Sequence, residues 1–342
     1  MVVDADREPA YPAQSILDFL VANRLLQNVQ QTTFIPLAGG VSSDIWKITT
    51  DGRIFVVKRA REKLRVAQDW RAPTSRSRSE VEWFIEAGRI VPGAAPTVIA
   101  SDSRAGIVAM NYFHPVEYPN WKDELWAGRV SPDFASKVGS MLALIHASTA
   151  GLSELTGRVN DDQVFKALRI EPYLEATAQV NQDVSQSLLE IAASVLENKR
   201  ALVHGDVSPK NILVGNRGPV FLDAECAWYG EPAFDLAFCL NHLLLKCLIV
   251  PLRHESLLAC FDCLARHYFD NVGWEPKESL EARVSRLLPA LLLARVDGKS
   301  PVEYLSNEDD KIRVRRFAKR FIVEPSARLS TIGMAWQEEL QH

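Results

Sequence analysis

The chain has 342 residues, of which 47% are hydrophobic and 24% charged, with a formal net charge of -4. That composition excludes a disordered or collagen-like chain and leaves room for one large domain or two modest ones. The mild negative balance gives no global attraction to nucleic acid or to an anionic membrane, and neither is expected as a partner.

The first residues lack a basic start followed by an apolar run, so no signal peptide is expected. Residues 15–26 carry helical periodicity, with Ile16, Leu17, Leu20 and Val21 as the apolar stripe. Residues 1–30 therefore read as a helical N-terminal extension. The texture then changes. Residues 32–60 hold two β-rich runs, IWKIT and IFVVK, split by Asp51-Gly52, a two-residue hairpin signal. A basic segment, residues 59–78, reads as a solvated loop or helix face. A helix over 79–87 and strands over 98–101 and 106–112 complete a β-rich lobe, residues 31–112.

From residue 113 to 342 the pattern is mainly helical, with helices expected over 134–148, 164–178, 184–196, 234–249, 257–269, 280–295 and 310–322. Short strands are expected over 201–203, 212–214 and 220–222. The apolar stretch 236–252 is interrupted by Asn241, His242, Lys246 and Pro251 and reads as a buried helix rather than a membrane span. The five cysteines, Cys226, Cys239, Cys247, Cys260 and Cys263, mostly sit in apolar runs. Reduced thiols in a cytoplasmic protein are expected. Cys260 and Cys263 form one CxxC without a second ligand pair, so core packing is the reading.

The chemistry concentrates in His204-Gly205-Asp206-Val207-Ser208-Pro209-Lys210-Asn211, followed by Val220-Phe221-Leu222-Asp223. This supplies a carboxylate to orient a hydroxyl, an amide oxygen for a metal, and a second carboxylate for a metal. Mg²⁺ takes such oxygen ligands together with phosphates, so the set suits phosphoryl transfer.

The HGDxxxxN loop at 204–211 and the LDAExAxxGxPAxDLA run at 222–237 resemble the aminoglycoside phosphotransferase and choline kinase superfamily, a phosphotransferase enzyme family related to protein kinases. The resemblance implies an α+β, protein-kinase-like bilobal fold, with a small antiparallel N-lobe and a larger helical C-lobe. It implies ATP and Mg²⁺ as cosubstrate and cofactor and a hydroxylated small molecule as acceptor. It makes Asp206 the catalytic base and Asn211 and Asp223 the metal ligands, with His204 and Asp235 as structural support. Gly39, Gly40, Ser42 and Ser43 match the phosphate-covering loop, and Lys58 the ATP lysine. Glu80 matches that lysine's partner, with Glu82 as a competitor two residues on. Met110 and Tyr112 lie at the link expected to meet adenine. Glu225 stands at an acidic position of the family, equally readable as a surface carboxylate. His146 resembles a family helix histidine and reads as core.

Only eleven residues separate Asp223 from Asp235, and the run is Asp223-Ala224-Glu225 rather than D-F-G. No long peptide-docking segment fits there, so a small acceptor is expected. Helices within 151–200 and 257–295 are expected around the acceptor pocket. The former stretch carries eight acidic and five basic residues, which suits either a cationic sugar or a solvated face. The turn-rich segment 295–301 reads as a helix stop or as pocket lining. Residues 229–235 and Asn241 also resemble methylthioribose kinases, although the HGDVSPKN loop departs from that subgroup. A catalytically weak nucleotide-binding module is the remaining alternative, opposed by the presence of Lys58, Asp206, Asn211 and Asp223 together.

Overall fold

The computed structural model describes residues 11–37, 42–63, 72–159 and 162–341. Helix α1 (Gln14–Ala22) precedes β1 (Thr33–Pro36), β2 (Ser43–Thr50), β3 (Arg53–Ala60), α2 (Arg76–Ile90), β4 (Val98–Asp102) and β5 (Ile107–Asn111). The strands form one antiparallel sheet in the order β1-β2-β3-β5-β4. Asp51 and Gly52 both take positive φ, 49° and 72°, which lets the tight turn follow the strand twist.

Alternation along β3 and β5 decides where the ATP-site candidates point. Phe55, Val57, Ile107 and Ala109 pack on one face, against Ile16, Phe19 and Leu20 of α1. The described part of the expected N-terminal extension, from residue 11 on, therefore packs on the small lobe, because the apolar stripe of α1 covers that face. With a period of two, Val56 and Lys58 project to the opposite face, toward α2 and the larger lobe.

The larger lobe runs through α3 (Trp121–Trp126), α4 (Pro132–Thr149), α5 (Ser153–Val159), α6 (Asp162–Phe165), a π-helix (Lys166–Glu175), α7 (Ala176–Val180) and α8 (Ser185–Glu197). Next come β6 (Ala201–Val203), β7 (Ile212–Gly215), β8 (Gly218–Phe221) and β9 (Trp228–Gly230), paired as β6-β9 and β7-β8. Helices α9 (Pro232–Ile249), α10 (His254–Asp270), α11 (Lys277–Asp297), α12 (Glu308–Val323) and α13 (Leu329–Glu339) complete it. Helix α9 is long and apolar enough to cross a membrane, yet 89% of it is buried in the core. Its Asn241, His242 and Lys246 are all buried as well.

Two expectations change. The single helix expected over 164–178 is instead α6, a ten-residue π-helix and α7. Pro172 inside it has no N–H to return to the Leu168 carbonyl, and the Arg169 guanidinium takes that carbonyl at 2.7 Å. The basic segment is also not simply solvated. Arg59 and Arg61 hold Asp44, and Arg76 is fully buried. Cys260 lies buried in α10, where burial pushes its thiol up to about 12, while Cys263 on the same helix is half-buried.

Candidate active site

The loop 204–211 is tied down by Asp235, near the start of α9. Its Oδ2 accepts the His204 backbone N–H at 2.7 Å and its Oδ1 accepts that of Gly205 at 2.8 Å. Oδ2 also lies 3.2 Å from His146 Nε2, and His146 Nδ1 is 2.8 Å from the Tyr268 hydroxyl. Gly205 takes φ 76°, and a Cβ there would collide with the Cys226 carbonyl, so only glycine fits.

The His204 ring accepts the Asp206 backbone N–H on Nδ1 at 3.1 Å, so its proton sits on Nε2, which donates to the Leu222 carbonyl at 3.0 Å. Burial pulls its pKa below the ordinary value of 6.5, and the nearby Asp235 charge only partly opposes this. This imidazole is a neutral brace that ties the loop to the end of β8.

Asp206 is buried, with Oδ2 3.0 Å from Arg169 and 3.3 Å from Lys210. Burial raises its pKa, but the Lys210 and Arg169 charges outweigh this and leave it below the ordinary 3.8. The carboxylate is therefore ionised at neutral pH. Arg169 also donates to the Gly205 carbonyl. The π-helix thus places one guanidinium against both the loop backbone and the carboxylate. The Asn211 amide donates from Nδ2 to the Asp206 carbonyl at 3.1 Å, which fixes the amide and leaves Oδ1 as its remaining polar atom.

Lys58 Nζ donates to Glu80 at 2.8 Å and to Asp223, with Glu225 at 4.0 Å. Burial disfavours its charge, but Asp223, Glu80 and Glu225 together hold its pKa above the ordinary range. Asp223 takes φ 62°, a left-handed conformation uncommon for a residue other than glycine. Burial would raise its pKa, and the Lys58 charge drives it far below the ordinary value instead.

Glu80 lies in the second turn of α2, which starts at Arg76 rather than at residue 79. Glu82 is engaged elsewhere, accepting from Arg158 Nε at 2.9 Å. Glu80→Gln should therefore raise the KM for ATP about 10-fold or more, from the usual worth of a bond to a charged group. Glu82→Ala should leave that KM unchanged, since its partner Arg158 is partly exposed. Steady-state kinetics in ATP for the two variants checks this.

Ser42 lines the cavity beside Asp206 and Asp223, and its carbonyl accepts from Arg76 Nη2 at 2.7 Å. Arg76 Nε also donates to Glu225 at 3.1 Å. Glu225 is therefore a buried ion-pair partner, not a surface carboxylate. Ser43 begins β2 and is buried. Gly39 and Gly40 lie outside the described residues. Met110 is buried against the larger core, and the Tyr112 ring carries Lys47 at 4.7 Å; neither lines this cavity.

The cavity has a volume of about 270 Å³. Beyond Asp206 it is bounded by Tyr173 of the π-helix, Lys246 of α9, Arg295 of α11 and the loop 300–304. Segment 295–301 is thus pocket lining. Of the helices expected there, α8 and α10 do not contribute; α10 packs instead against α4, where a Cβ on Gly139 would strike the Leu264 carbonyl. Arg76 and Arg169 were not singled out from the sequence, and Lys246 only as an interruption of the apolar stretch 236–252. Pro172 inside a helical pattern was the one local signal, marking the distortion that aims Arg169.

Donor chemistry fits Mg²⁺. Asp223, which lines the cavity, and the Asn211 Oδ1, on the loop tied to Asp206, are hard oxygen donors. Among the described residues no cluster of three or more His, Cys, Asp or Glu side chains could hold a metal without help from phosphates.

The profile of the phosphotransferase enzyme family matches residues 33–245. A methylthioribose kinase from Pectobacterium atrosepticum is 26% identical over 234 residues, covering 59% of this chain and 57% of that protein. Methylthioribose kinase 2 of Oryza sativa subsp. japonica is 22% identical over 258 residues, 66% of this chain and 59% of that one. The chain thus spans little more than half the length of the curated relatives it matches. An amicoumacin kinase solved with AMP-PNP and Ca²⁺ superposes with a TM-score of 0.60 at 16% identity, covering 93% of this chain and 96% of that one. A choline/ethanolamine kinase family protein from Mesorhizobium loti gives 0.54 at 15%, covering 88% and 92%. These likenesses establish the bilobal, protein-kinase-like α+β fold. With the family profile covering well over half of its length, the chain belongs to the phosphotransferase enzyme family.

Proposed function

We propose that this protein transfers the γ-phosphate of ATP, with Mg²⁺, to a hydroxyl of a small molecule in the cytoplasm. The observation that carries the reading is one cavity of about 270 Å³ holding Asp206 and Asp223, with Lys58 paired to the latter. The volume is at the small end for ligand sites and suits a metabolite-sized acceptor better than a folded peptide.

Asp206 accepts a hydrogen bond from the acceptor hydroxyl and takes its proton late in the transfer. A loose transition state asks for positioning more than for basicity, so a carboxylate of lowered pKa serves. Lys58, held by Glu80, meets the nucleotide phosphates. Ser42, with its backbone tied to Arg76, lies at the phosphate end of the cavity. Asp223 and Asn211 would hold Mg²⁺, which when bound neutralises charge on the phosphates. The burial of Asp206 and of its partner Arg169 limits water at the transfer point, so ATP hydrolysis without acceptor is slow.

A methylthioribose-type sugar kinase is a second reading, favoured by the similarity to methylthioribose kinases. Incubation with labelled ATP, Mg²⁺ and a panel of sugars, amino alcohols, aminoglycosides and hydroxy acids tests both. The expected result is label in one class of small molecule and acceptor-stimulated ADP release. Label in added protein substrates alone would overturn the proposal.

A further inference from the structure

The acceptor end of the cavity carries positive charge that the fold does not neutralise. Lys246 is 2% exposed, lines the cavity, and its Nζ has no hydrogen-bond partner among the described residues. A buried ammonium without acceptors is costly. The Trp126 and Tyr304 rings lie 5.4 and 4.8 Å from it. They attract the charge, but they offer its three N–H groups no ordinary acceptor.

Lys122 and Arg295 line the same cavity. Neither these two nor Lys246 forms an ion pair with a carboxylate among the described residues. The carboxylates at the phosphoryl end are all matched: Asp206 by Arg169 and Lys210, Asp223 by Lys58, Glu225 by Arg76. Among the described residues the carboxylates at this end are the exposed Asp123 and Glu303, and neither forms an ion pair with Lys122, Lys246 or Arg295. An aromatic pair of this kind could hold a quaternary ammonium ligand, but here the lysine itself occupies it.

We propose that this end of the cavity recognises an anionic group, a carboxylate or a phosphate ester, carried by the acceptor alongside the hydroxyl presented to Asp206. The acceptor class is then a short hydroxy acid or sugar phosphate rather than a cationic aminoglycoside or amino alcohol. The proposal rests on the phosphotransfer reading above and adds the acceptor's charge.

The pH dependence follows from the groups around Lys246. Lys122 and Asp123 face it from α3, His242 from its own helix, and Arg295, Glu303 and Tyr304 from α11 and the loop beyond. Burial first, and then the Lys122 charge, bring the Lys246 pKa down to about 8, with Asp123 opposing. Anion affinity should accordingly fall as pH rises through about 8.

The test uses the full chain saturated with Mg²⁺ and AMP-PNP, so that the phosphoryl end is filled. Calorimetric titration compares D-glycerate and sn-glycerol 3-phosphate with glycerol and 3-amino-1,2-propanediol. The two anions should bind, their ratio telling carboxylate from phosphate ester, and the neutral and cationic partners should not. Lys246→Met should raise the anion Kd about 10-fold or more, as for a lost bond to a charged group. Lys246→Arg should retain binding and lose the pH dependence, and it keeps the test informative if Lys246→Met fails to fold by circular dichroism. Absence of anion binding in the wild type, equal binding of glycerol or the amine, or a fully folded Lys246→Met with unchanged Kd would overturn the proposal. Phosphorylation of a neutral or cationic acceptor without anion binding would sink it while leaving phosphotransfer intact. Anion binding with no dependence of ADP release on Asp206 would instead remove the phosphotransfer reading.

Discussion

Asp206→Asn lowers acceptor-dependent turnover by a factor on the order of 10²–10⁴, the usual worth of a positioned acid–base group. The amide keeps the size and loses the charge, so no oxygen of full negative charge remains to orient the hydroxyl. Arg169 and Lys210, 3.0 and 3.3 Å away, also lose their counter-charge. ATP binding should survive, because Lys58 keeps its bonds to Glu80 and Asp223. The wild-type pH profile gives a second check. A depressed carboxyl pKa stays ionised down to its folded value, so the acid limb of kcat should lie below about 3.8. The same pair stabilises the fold above the unfolded carboxyl value, and that contribution is lost as pH falls through the folded one. An acid limb near 6 would point to an imidazole instead. Near wild-type turnover by Asp206→Asn would remove its assignment.

Asp223→Asn should cost on the order of 10³ in turnover, the scale of a lost electrostatic stabiliser of the transition state. Asparagine is the informative replacement because it tolerates the φ of 62° that Asp223 adopts, whereas alanine would add backbone strain. The variant removes the charged one of the two proposed hard-oxygen donors, so Mg²⁺ should no longer tighten nucleotide binding. It also leaves Lys58 with Glu80 as its close carboxylate and Glu225 at 4.0 Å. Titrating Mg²⁺ at fixed nucleotide should separate the two proteins. Identical curves would show that the metal is held elsewhere.

The groups proposed to react could be picked out in the sequence because phosphoryl transfer needs a base, an amide oxygen and a carboxylate, and one loop and the strand after it offer all three. The hairpin was legible for a similarly local reason, two alternating runs around Asp51-Gly52. What sequence could not provide was the counter-charge. Arg76 reaches Glu225 across 149 residues, and the cations around the acceptor come from α3, α9 and α11. No local pattern distinguishes such residues from solvated ones, since a basic stretch and a buried guanidinium read alike until the lobes meet. The mild acidity of residues 151–200 suited a cationic sugar or a solvated face equally. The residue from that stretch that meets Asp206 is Arg169, turned inward where Pro172 interrupts the ordinary backbone pattern. Settling Glu80 over Glu82 needed only the true start of α2, three residues earlier than the apolar periodicity indicates.

The buried column from Tyr268 through His146 to Asp235 sets when the proposed activity can appear during folding. Its links join residues 122 and 89 positions apart, and Asp235 reaches back 31 and 30 positions to the loop. Each is a long closure that forms only after the intervening chain has been gathered. The catalytic loop therefore cannot settle until α4, α9 and α10 have docked. Helical signal should return on dilution from denaturant before activity does, and the newly made chain stays inactive on the ribosome until residue 268 has emerged.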